Sequence, residues 1–298
     1  MTLRDFGLFI LICLVWASNN IVSKYVVAVL NVPPFFYASL RFVIVAVLLS
    51  PWLRPIPRPF GRLAIVAVLM GCGNFGLMFV GLKTAAPSAA AVVMQLSVPI
   101  TTLLSWIMLG ERLNGRRLLG VSMAFAGAMA VIWDPHGVKV SLGLLYILAA
   151  TALGALGAVM MKQIPNVRPL QYQAWVGFIS VWPMIAMSLL LETGQWEAAS
   201  AGGWRFAAAV LFSAIVVSIT VHTIYFWLIQ RYEANLIAPL TLMTPLGTIV
   251  LGVLIFHDRF DLRMAIGTLV ALVGVVVIAL RPNQAAMLLM RLRSPPPA

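Results

Sequence analysis

The first apolar stretch of the chain, Phe6 to Ala28, reads FGLFILICLVWASNNIVSKYVVA. Its length suits a membrane-spanning helix, which needs about 20 predominantly apolar residues. Within it Trp16, Asn20 and Lys24 are spaced four residues apart and share one helical face, with Ser23 beside them. Polar groups inside a bilayer are costly unless they face protein or a water-filled cavity. The stretch therefore predicts a membrane helix whose polar face borders a buried path for a solute.

The composition excludes a water-soluble globular protein. Of the 298 residues, 62% are hydrophobic and 9% are charged, whereas a soluble domain carries about 25% charged residues. So much apolar surface cannot be buried in a core surrounded by water, and lipid is the predicted solvent. The first stretch is also longer than the roughly 7–15-residue core of a secretory signal peptide, so we expect it to be retained as the first span.

The net charge of +12 raises the question of a nucleic-acid partner. In membrane proteins, however, basic residues collect in the cytoplasmic loops, so no nucleic-acid partner is predicted. The two cysteines, Cys13 and Cys72, lie in apolar segments and form no cluster with histidines, which argues against a disulfide or a metal site. Neither a metal nor another cofactor is predicted.

Ten segments are apolar and long enough to be predicted as membrane spans, and the short loops between them make neighbouring helices antiparallel. Two of them, 86–109 and 142–162, are rich in small residues that permit close helix packing in lipid, so we expect them inside the bundle. The predicted spans are residues 6–28, 35–53, 62–82, 86–109, 116–133, 142–162, 170–191, 204–229, 235–256 and 262–280.

The distribution of Lys and Arg places both ends of the chain in the cytoplasm. With that orientation thirteen of the twenty basic residues fall on the cytoplasmic side and five outside, while Lys24 and Arg41 lie within spans. We therefore predict a multi-pass protein of a bacterial inner membrane in which residues 283–298 form a cytoplasmic tail. The expected partners are the lipid bilayer and a small-molecule substrate, and the expected form is a monomer.

The two halves of the chain resemble each other at constant offsets. Lys24 matches Lys162 at an offset of 138, and a longer set of residues matches at an offset of 147. Because each half contains five predicted spans, the second copy would enter the membrane upside down. The prediction is an all-α polytopic membrane protein of ten transmembrane helices, built as two inverted five-helix repeats (1–135 and 136–282) around a central cavity. The alternative is that acidic-Arg pairs and glycines recur at helix ends by chance. The set at offset 147 pairs Glu111, Arg112, Leu113, Arg116, Gly120 and Gly127 with Asp258, Arg259, Phe260, Arg263, Gly267 and Gly274.

These motifs resemble those of the drug/metabolite transporter superfamily, in its ten-helix members with two EamA-type repeats. The second repeat departs from the family pattern, because Gly154 stands where a Trp is usual and Phe256-His257-Asp258-Arg259 replaces Leu-Gly-Glu-Arg. Within the family the chain is most similar to bacterial amino-acid exporters of the YddG type. The resemblance implies that helices one, three, four, six, eight and nine surround the cavity, with helices five and ten at the side. The matching residues of the first repeat are Trp16-Ala17-Ser18-Asn19, Lys24, Arg41-Phe42, Pro99, Leu109-Gly110-Glu111-Arg112, Gly120 and Gly127.

Polar residues within the spans are the candidate ligands of the cargo. Amides and hydroxyls bond amino and carboxylate groups, while Met and aromatic side chains accommodate several shapes, so the lining suits zwitterions with variable apolar side chains. Each amide has an alternative role, in which it bonds to a neighbouring helix. Lys24 could instead extend its charge to the membrane interface. Arg41 is predicted to be a structural tether at the outer end of span two. The predicted substrate-binding residues are Trp16, Asn19, Asn20, Ser23, Lys24, Asn74, Met78, Gln95, His222, Tyr225 and Thr244.

Two prolines interrupt predicted spans at corresponding depths. Pro99 in span four and Pro245 in span nine each remove a backbone hydrogen bond from the helix interior. We predict that they act as hinges for alternating access; the alternative is that they only shape the cavity.

All eight acidic residues fall in loops or at span ends, which argues against a carboxylate proton relay. His222 is the remaining candidate for a protonatable group within a span. A cavity with Lys24 and no carboxylate also disfavours cationic drugs. The predicted function is therefore facilitated export of amino acids, aromatic and other amphipathic ones, and of related metabolites.

Three other functions are the alternatives. One is a broad drug and metabolite efflux pump, proton-coupled through His222. A sugar-phosphate carrier needs several cationic groups, and here only Lys24 and Arg41 are candidates. An intramembrane enzyme is disfavoured because no metal-ligand spacing and no buried carboxylate base is evident, so the chain is predicted not to be an enzyme.

Overall fold

The chain is all-α throughout the part that the structure, a computed structural model, describes. That part comprises residues 2–111, 113–132, 141–164, 167–232 and 240–279. The predicted repeat boundary at 135–136, Arg112 of the predicted motif and the predicted tail 283–298 lie outside the described residues.

Eight of the described helices are long and apolar enough to cross a membrane, and two further apolar helices, α2 and α9, are shorter at 15 and 14 residues. These findings support a helical protein with several membrane spans, while the crossing of α2 and α9 stays a prediction. In chain order the helices are α1 (Leu3–Val29), α2 (Pro34–Leu48), α3 (Phe60–Thr84), α4 (Pro87–Leu109), α5 (Gly115–Ile132), α6 (Leu142–Met161), α7 (Pro169–Leu191), α8 (Gln195–Leu211, continuing through Phe212–Val221 and His222–Arg231), α9 (Met243–Phe256) and α10 (Leu262–Ala279).

The largest difference from the predicted spans is at the start of α8. The prediction begins at residue 204, but the helix begins at Gln195 and bends at Gly203, where φ is 52° and ψ is −136°. The part before the bend is too polar to be recognised as a span, and Trp196 and Trp204 beside it are 76% and 77% exposed. Exposed tryptophans at a helix end are typical of a membrane–water interface.

Span two also ends earlier than predicted. Its helix stops at Leu48, and Ser50–Leu53 forms a separate 3₁₀ turn. Pro51 explains the stop, since a proline disfavours the α-helical conformation in the residue before it.

Helices α5 and α10 pack against each other through glycines. A β-carbon at Gly120 would lie 2.7 Å from the Gly274 carbonyl oxygen, and one at Gly267 would lie 2.8 Å from the Gly127 carbonyl oxygen. Only glycine permits such close backbone approach, which is how helices associate tightly in lipid.

Two acidic side chains, Glu192 and Asp258, bind the first turns of other helices. The Glu192 carboxylate accepts bonds of 2.8 and 3.0 Å from the backbone N–H groups of Phe35 and Phe36, in the first turn of α2. The Asp258 carboxylate accepts bonds of 2.9 and 2.6 Å from the backbone N–H and hydroxyl of Ser88, in the first turn of α4. Both carboxylates satisfy backbone donors that have no partner within their own helix.

Candidate substrate cavity

A cavity of about 480 Å³ lies between the helices. This volume falls within the roughly 300–1,000 Å³ that small-molecule sites occupy. Its wall is formed by α1, α3, α4, α6, α8 and α9 together with one residue of α2, whereas no residue of α5, α7 or α10 lines it. The lining residues are Trp16, Asn19, Asn20, Arg41, Asn74, Phe75, Met78, Met94, Ser97, Thr101, Ile147, Ala150, Thr151, Gly154, Ala155, Ala158, Val217, His222 and Thr244.

Seven of the eleven predicted substrate-binding residues lie on this one wall. They come from four helices that are distant in sequence, so the fold brings them together. The seven are Trp16, Asn19, Asn20, Asn74, Met78, His222 and Thr244.

Four predicted residues lie elsewhere. Lys24 extends to the end of α3, where its Nζ is 3.4 Å from the Lys83 carbonyl oxygen, because its long side chain carries the charge away from the apolar interior. Ser23 is fully buried, Gln95 lies at an interruption of α4, and none of the three lines the cavity. Tyr225 packs its ring behind Trp16, with ring centroids 4.8 Å apart.

Asn20 and Thr244 belong to a contact between α1 and α9. The Asn20 side-chain amide donates a 3.2 Å bond to the Thr248 hydroxyl, which in turn donates to the Thr244 carbonyl oxygen. The hydroxyl oxygen of Thr244 and the indole nitrogen of Trp16 are buried and have no hydrogen-bond partner among the described residues. Both residues line the cavity, although these two atoms are themselves buried.

Asn19 is oriented by hydroxyl groups from α2 and α8. The Ser213 hydroxyl donates a 2.8 Å bond to Asn19 Oδ1, and the Tyr37 hydroxyl lies 2.5 Å from the Ser213 oxygen. Since Ser213 uses its proton on Asn19, Tyr37 is the donor to Ser213. The bond orients the Asn19 amide and leaves its N–H₂ group as a donor that bonds neither hydroxyl.

The middle of α8 is π-helical from Phe212 to Val221, which no sequence pattern predicted. Side chains there bond to the carbonyl five residues earlier, as Ser218 does to Ser213 at 2.8 Å and His222 Nδ1 does to Val217 at 2.7 Å. The wider turn separates residues that α-helical spacing would place on one face. Of the two residues of α8 that were predicted to bind the cargo, His222 lines the cavity and Tyr225 does not.

His222 is held in one ring orientation by that bond. A carbonyl oxygen only accepts, so Nδ1 is the protonated ring nitrogen. Its ring centroid lies 5.5 Å from that of Trp16. In the neutral side chain Nε2 is then an acceptor.

Arg41 is the cavity residue whose role the sequence analysis missed. It was predicted as a tether, and it does join α2 to α8, because its Nε donates a 2.9 Å bond to the Ser218 hydroxyl. It also lines the cavity, and its guanidinium carbon lies 4.3 Å from the centroid of the Phe75 ring. A charged residue in a span without an acidic partner marks a candidate, but Lys24 shares that property and lies away from the wall.

Both predicted hinge prolines lie just after helix interruptions. Pro99 has no N–H for the Gln95 carbonyl, which instead accepts a 3.2 Å bond from Val98 N. Likewise the Thr241 carbonyl accepts a 3.0 Å bond from Thr244 N, next to Pro245. The tighter bonds break the regular α-helical ladder beside the cavity residues Met94, Ser97 and Thr244.

Metal ligands are not gathered in the described residues, where no group of three or more His, Cys, Asp and Glu side chains is close enough to hold an ion. The lining described above also contains no carboxylate. Binding at this wall would therefore rest on amides, hydroxyls, an imidazole, an indole and one guanidinium.

Apolar helices that enclose a polar cavity define a multi-pass membrane protein that holds a small solute between its spans. The EamA-like transporter family matches residues 6–133 and again residues 141–280, and the chain belongs to this family. It is therefore a membrane transporter.

Two relatives agree with this assignment, and a solved structure matches the fold. The chain is 27% identical over 286 residues to a protein of Escherichia coli (strain K12) named "Probable amino-acid metabolite efflux pump", with 93% of this chain and 95% of that protein covered. A protein of the same name from Salmonella typhimurium is 26% identical over 289 residues, with the same coverage. A protein of known crystal structure matches the fold with a TM-score of 0.64 at 21% identity, covering 99% of this chain and 100% of the other.

Proposed function

We propose that this transporter exports amino acids, aromatic and other amphipathic ones, and related metabolites from the bacterial cytoplasm by alternating access. The observation that carries the proposal is the mixed lining of the cavity. Donors and acceptors for the two polar ends of a zwitterion share one wall with Trp16, Phe75 and Met78. The names of the two relatives point to the same class of cargo.

The architecture proposed for this function is two inverted five-helix repeats with both termini in the cytoplasm. Support comes from the double match to the family and from paired backbone features. Gly110 after α4 and His257 after α9, related by the offset of 147, both adopt positive φ, at 66° and 53°. The proposed topology also puts Glu111 and Lys162 on the same side of the membrane. This agrees with the 3.6 Å distance between Glu111 Oε1 and Lys162 Nζ.

Transport without proton coupling is the second part of the proposal. Proton relays in membranes use buried carboxylates or histidines, and the described lining offers His222 alone. Its Nδ1 is already committed to the Val217 carbonyl. Flux into proteoliposomes should therefore proceed with no pH gradient, and a flux that required the gradient would remove this part of the proposal.

A broad drug and metabolite efflux pump is the second candidate. It is favoured by the flexible thioethers of Met78 and Met94 on the wall, since methionines adapt to ligands of several shapes. Under this reading His222 would carry protons, and the His222→Ala variant would lose the response to a pH gradient.

Counterflow in proteoliposomes tests the proposed function. Vesicles with the full-length protein are loaded with one unlabelled amino acid and diluted into the labelled form, across a panel of amino acids and one fluorescent dye. We expect accumulation of an amphipathic amino acid, reduced in Asn74→Leu and unchanged in Asn114→Ala, whose amide lies outside the cavity at the start of α5. Uptake of the dye with no amino acid accumulated would favour the second candidate.

A further inference from the structure

Arg41 is a buried cation whose hydrogen bonding is incomplete. The residue is 1% exposed and lies in the middle of an apolar helix. A guanidinium carries five N–H donors in a planar fork. Nε is bound to Ser218, yet Nη1 is buried and has no partner among the described residues.

The protein supplies no carboxylate to balance this charge within the described part of the chain. Glu192, Asp258 and Asp261 bind helix ends, and Glu111 lies beside Lys162. The Asp5 carboxylate accepts a bond from the Tyr232 hydroxyl, and Glu197 is exposed in the first turn of α8. The neighbours of Arg41 are instead neutral: a hydroxyl at 2.9 Å and an aromatic ring at 4.3 Å. A charge inside a membrane protein normally pairs with another group or marks a substrate path.

We infer that Arg41 binds the carboxylate of the transported molecule, which makes the cargo a carboxylate-bearing metabolite. This inference rests on the proposed function and deepens it. Arginine suits the task because its fork bonds a carboxylate through two parallel N–H groups, and such charge-assisted bonds are stronger than neutral ones. The cargo takes the place of the missing acidic partner.

The fork is held ready for this bond before any cargo arrives. Ser218 fixes Nε, and Ser218 is itself anchored at both ends, by its hydroxyl to the Ser213 carbonyl and by its own carbonyl to Gln173 Nε2 at 2.7 Å. The Phe75 ring packs on the guanidinium as a cation–π partner. Because the site is already ordered, binding loses little conformational freedom.

The inference predicts different potencies for competitors that differ only at the carboxyl group. Phenylalanine, phenylalaninamide and phenethylamine share one side chain, but only the first carries a negative charge. In counterflow competition against labelled phenylalanine, or another amino acid that the panel identifies, we expect the amide and the amine to compete at least about tenfold less well than the acid, since a bond to a buried charged group is worth roughly 1.5–3 kcal/mol. Equal competition by all three would overturn the inference and leave the proposed function standing.

Variants of Arg41 give a second measurement. Arg41→Met should bring the acid and the amide to similar potency, a change in ratio that a merely structural role would not produce, while Arg41→Lys should keep part of the preference. Ser218→Ala removes the group that fixes Nε but leaves the cation in place, so the preference for the acid should fall less than in Arg41→Met. If Arg41→Met kept the full wild-type preference, the inference would be wrong; if it failed to fold, the wild-type comparison would still decide. Failure of every amino acid as cargo would instead count against the proposed function.

Discussion

The side-chain amide of Asn74 on α3 lies against the α-carbon of Gly154 on α6, in the space that the side chain of any larger residue at position 154 would occupy. Both residues line the cavity. The offset of 138 that relates Lys24 to Lys162 also relates Trp16 to Gly154. At these two corresponding positions the first half places a bulky indole on the wall. The second half places a glycine, which leaves room for the Asn74 amide.

A tryptophan at Gly154 should narrow the cavity and exclude large cargo. Overfilling a packed site costs about 1–3 kcal/mol, so we expect Gly154→Trp to reduce counterflow of aromatic amino acids roughly tenfold or more relative to alanine or serine. The measurement is the ratio of aromatic to small amino-acid uptake in proteoliposomes. Gly61→Trp is the control, because Gly61 on α3 does not line the cavity and a β-carbon there would meet nothing within 4 Å. An unchanged ratio in Gly154→Trp would show that the cargo does not use this part of the wall.

Replacing the two prolines that are predicted to act as hinges, Pro99 and Pro245, should slow transport without abolishing binding. Alanine restores the N–H that bonds the carbonyl four residues earlier, and a proline inside a helix costs about 3 kcal/mol relative to alanine, so Pro99→Ala and Pro245→Ala should favour a straight helix. We expect a several-fold fall in the maximal counterflow rate with little change in the half-saturating concentration.

Pro183 provides the matched control for the hinge experiment. It lies inside α7, a helix that does not line the cavity. Pro183→Ala should leave the rate near that of the wild type. If Pro99→Ala and Pro245→Ala also transported at the wild-type rate, the prolines would only shape the cavity.

The end of α9 carries a conformational strain that glycine would relieve. His257 adopts φ of 53°, a left-handed conformation that costs an L-residue about 1–2 kcal/mol. His257→Gly should therefore stabilise the protein by about 1 kcal/mol after the greater entropy of unfolded glycine is subtracted. Gly110→Ala should have the opposite effect, and its cost is conformational only, because a β-carbon there would meet nothing within 4 Å. Thermal unfolding in detergent measures both, and equal Tm values for the two variants would contradict the expectation.

Glu192 should contribute to stability as the cap of α2. Glu192→Ala removes two hydrogen bonds to backbone N–H groups, and loss of a helix cap costs about 1–2 kcal/mol. We expect a fall in Tm of a few degrees in detergent. Glu197→Ala changes the same residue type at an exposed position five residues on, and should leave Tm unchanged.

The sequence predicted which helices exist and which of them carry polar faces, because apolar length and α-helical spacing are local properties. It placed Asn20 and Asn74 among the cavity residues by the same reasoning, and the fold brings both to one wall. It failed for Tyr225, whose ring packs behind Trp16 and does not line the cavity. It also did not predict the π-helical segment from Phe212 to Val221.

The two basic residues within the spans show the other limit of sequence reasoning. Lys24 was predicted to line the cavity and Arg41 to tether a helix end, but the structure places Arg41 on the wall and Lys24 away from it. Which helix face meets the cavity depends on how the helices pack, and that packing involves partners such as Ser218, 177 residues away in the chain. No local pattern contains this information.

Site-directed labelling of the cavity tests the central claim most directly. In a chain whose buried Cys13 and Cys72 have been replaced, Asn74→Cys is exposed to a membrane-impermeant thiol reagent from each side in turn, with Ala17→Cys, fully buried and not on the cavity wall, as the control. Alternating access of a substrate-binding cavity predicts that Asn74→Cys is labelled from both sides, that a transported amino acid slows the labelling, and that Ala17→Cys stays unlabelled. Labelling of Asn74→Cys that no amino acid slows, or that occurs from neither side, would contradict the account.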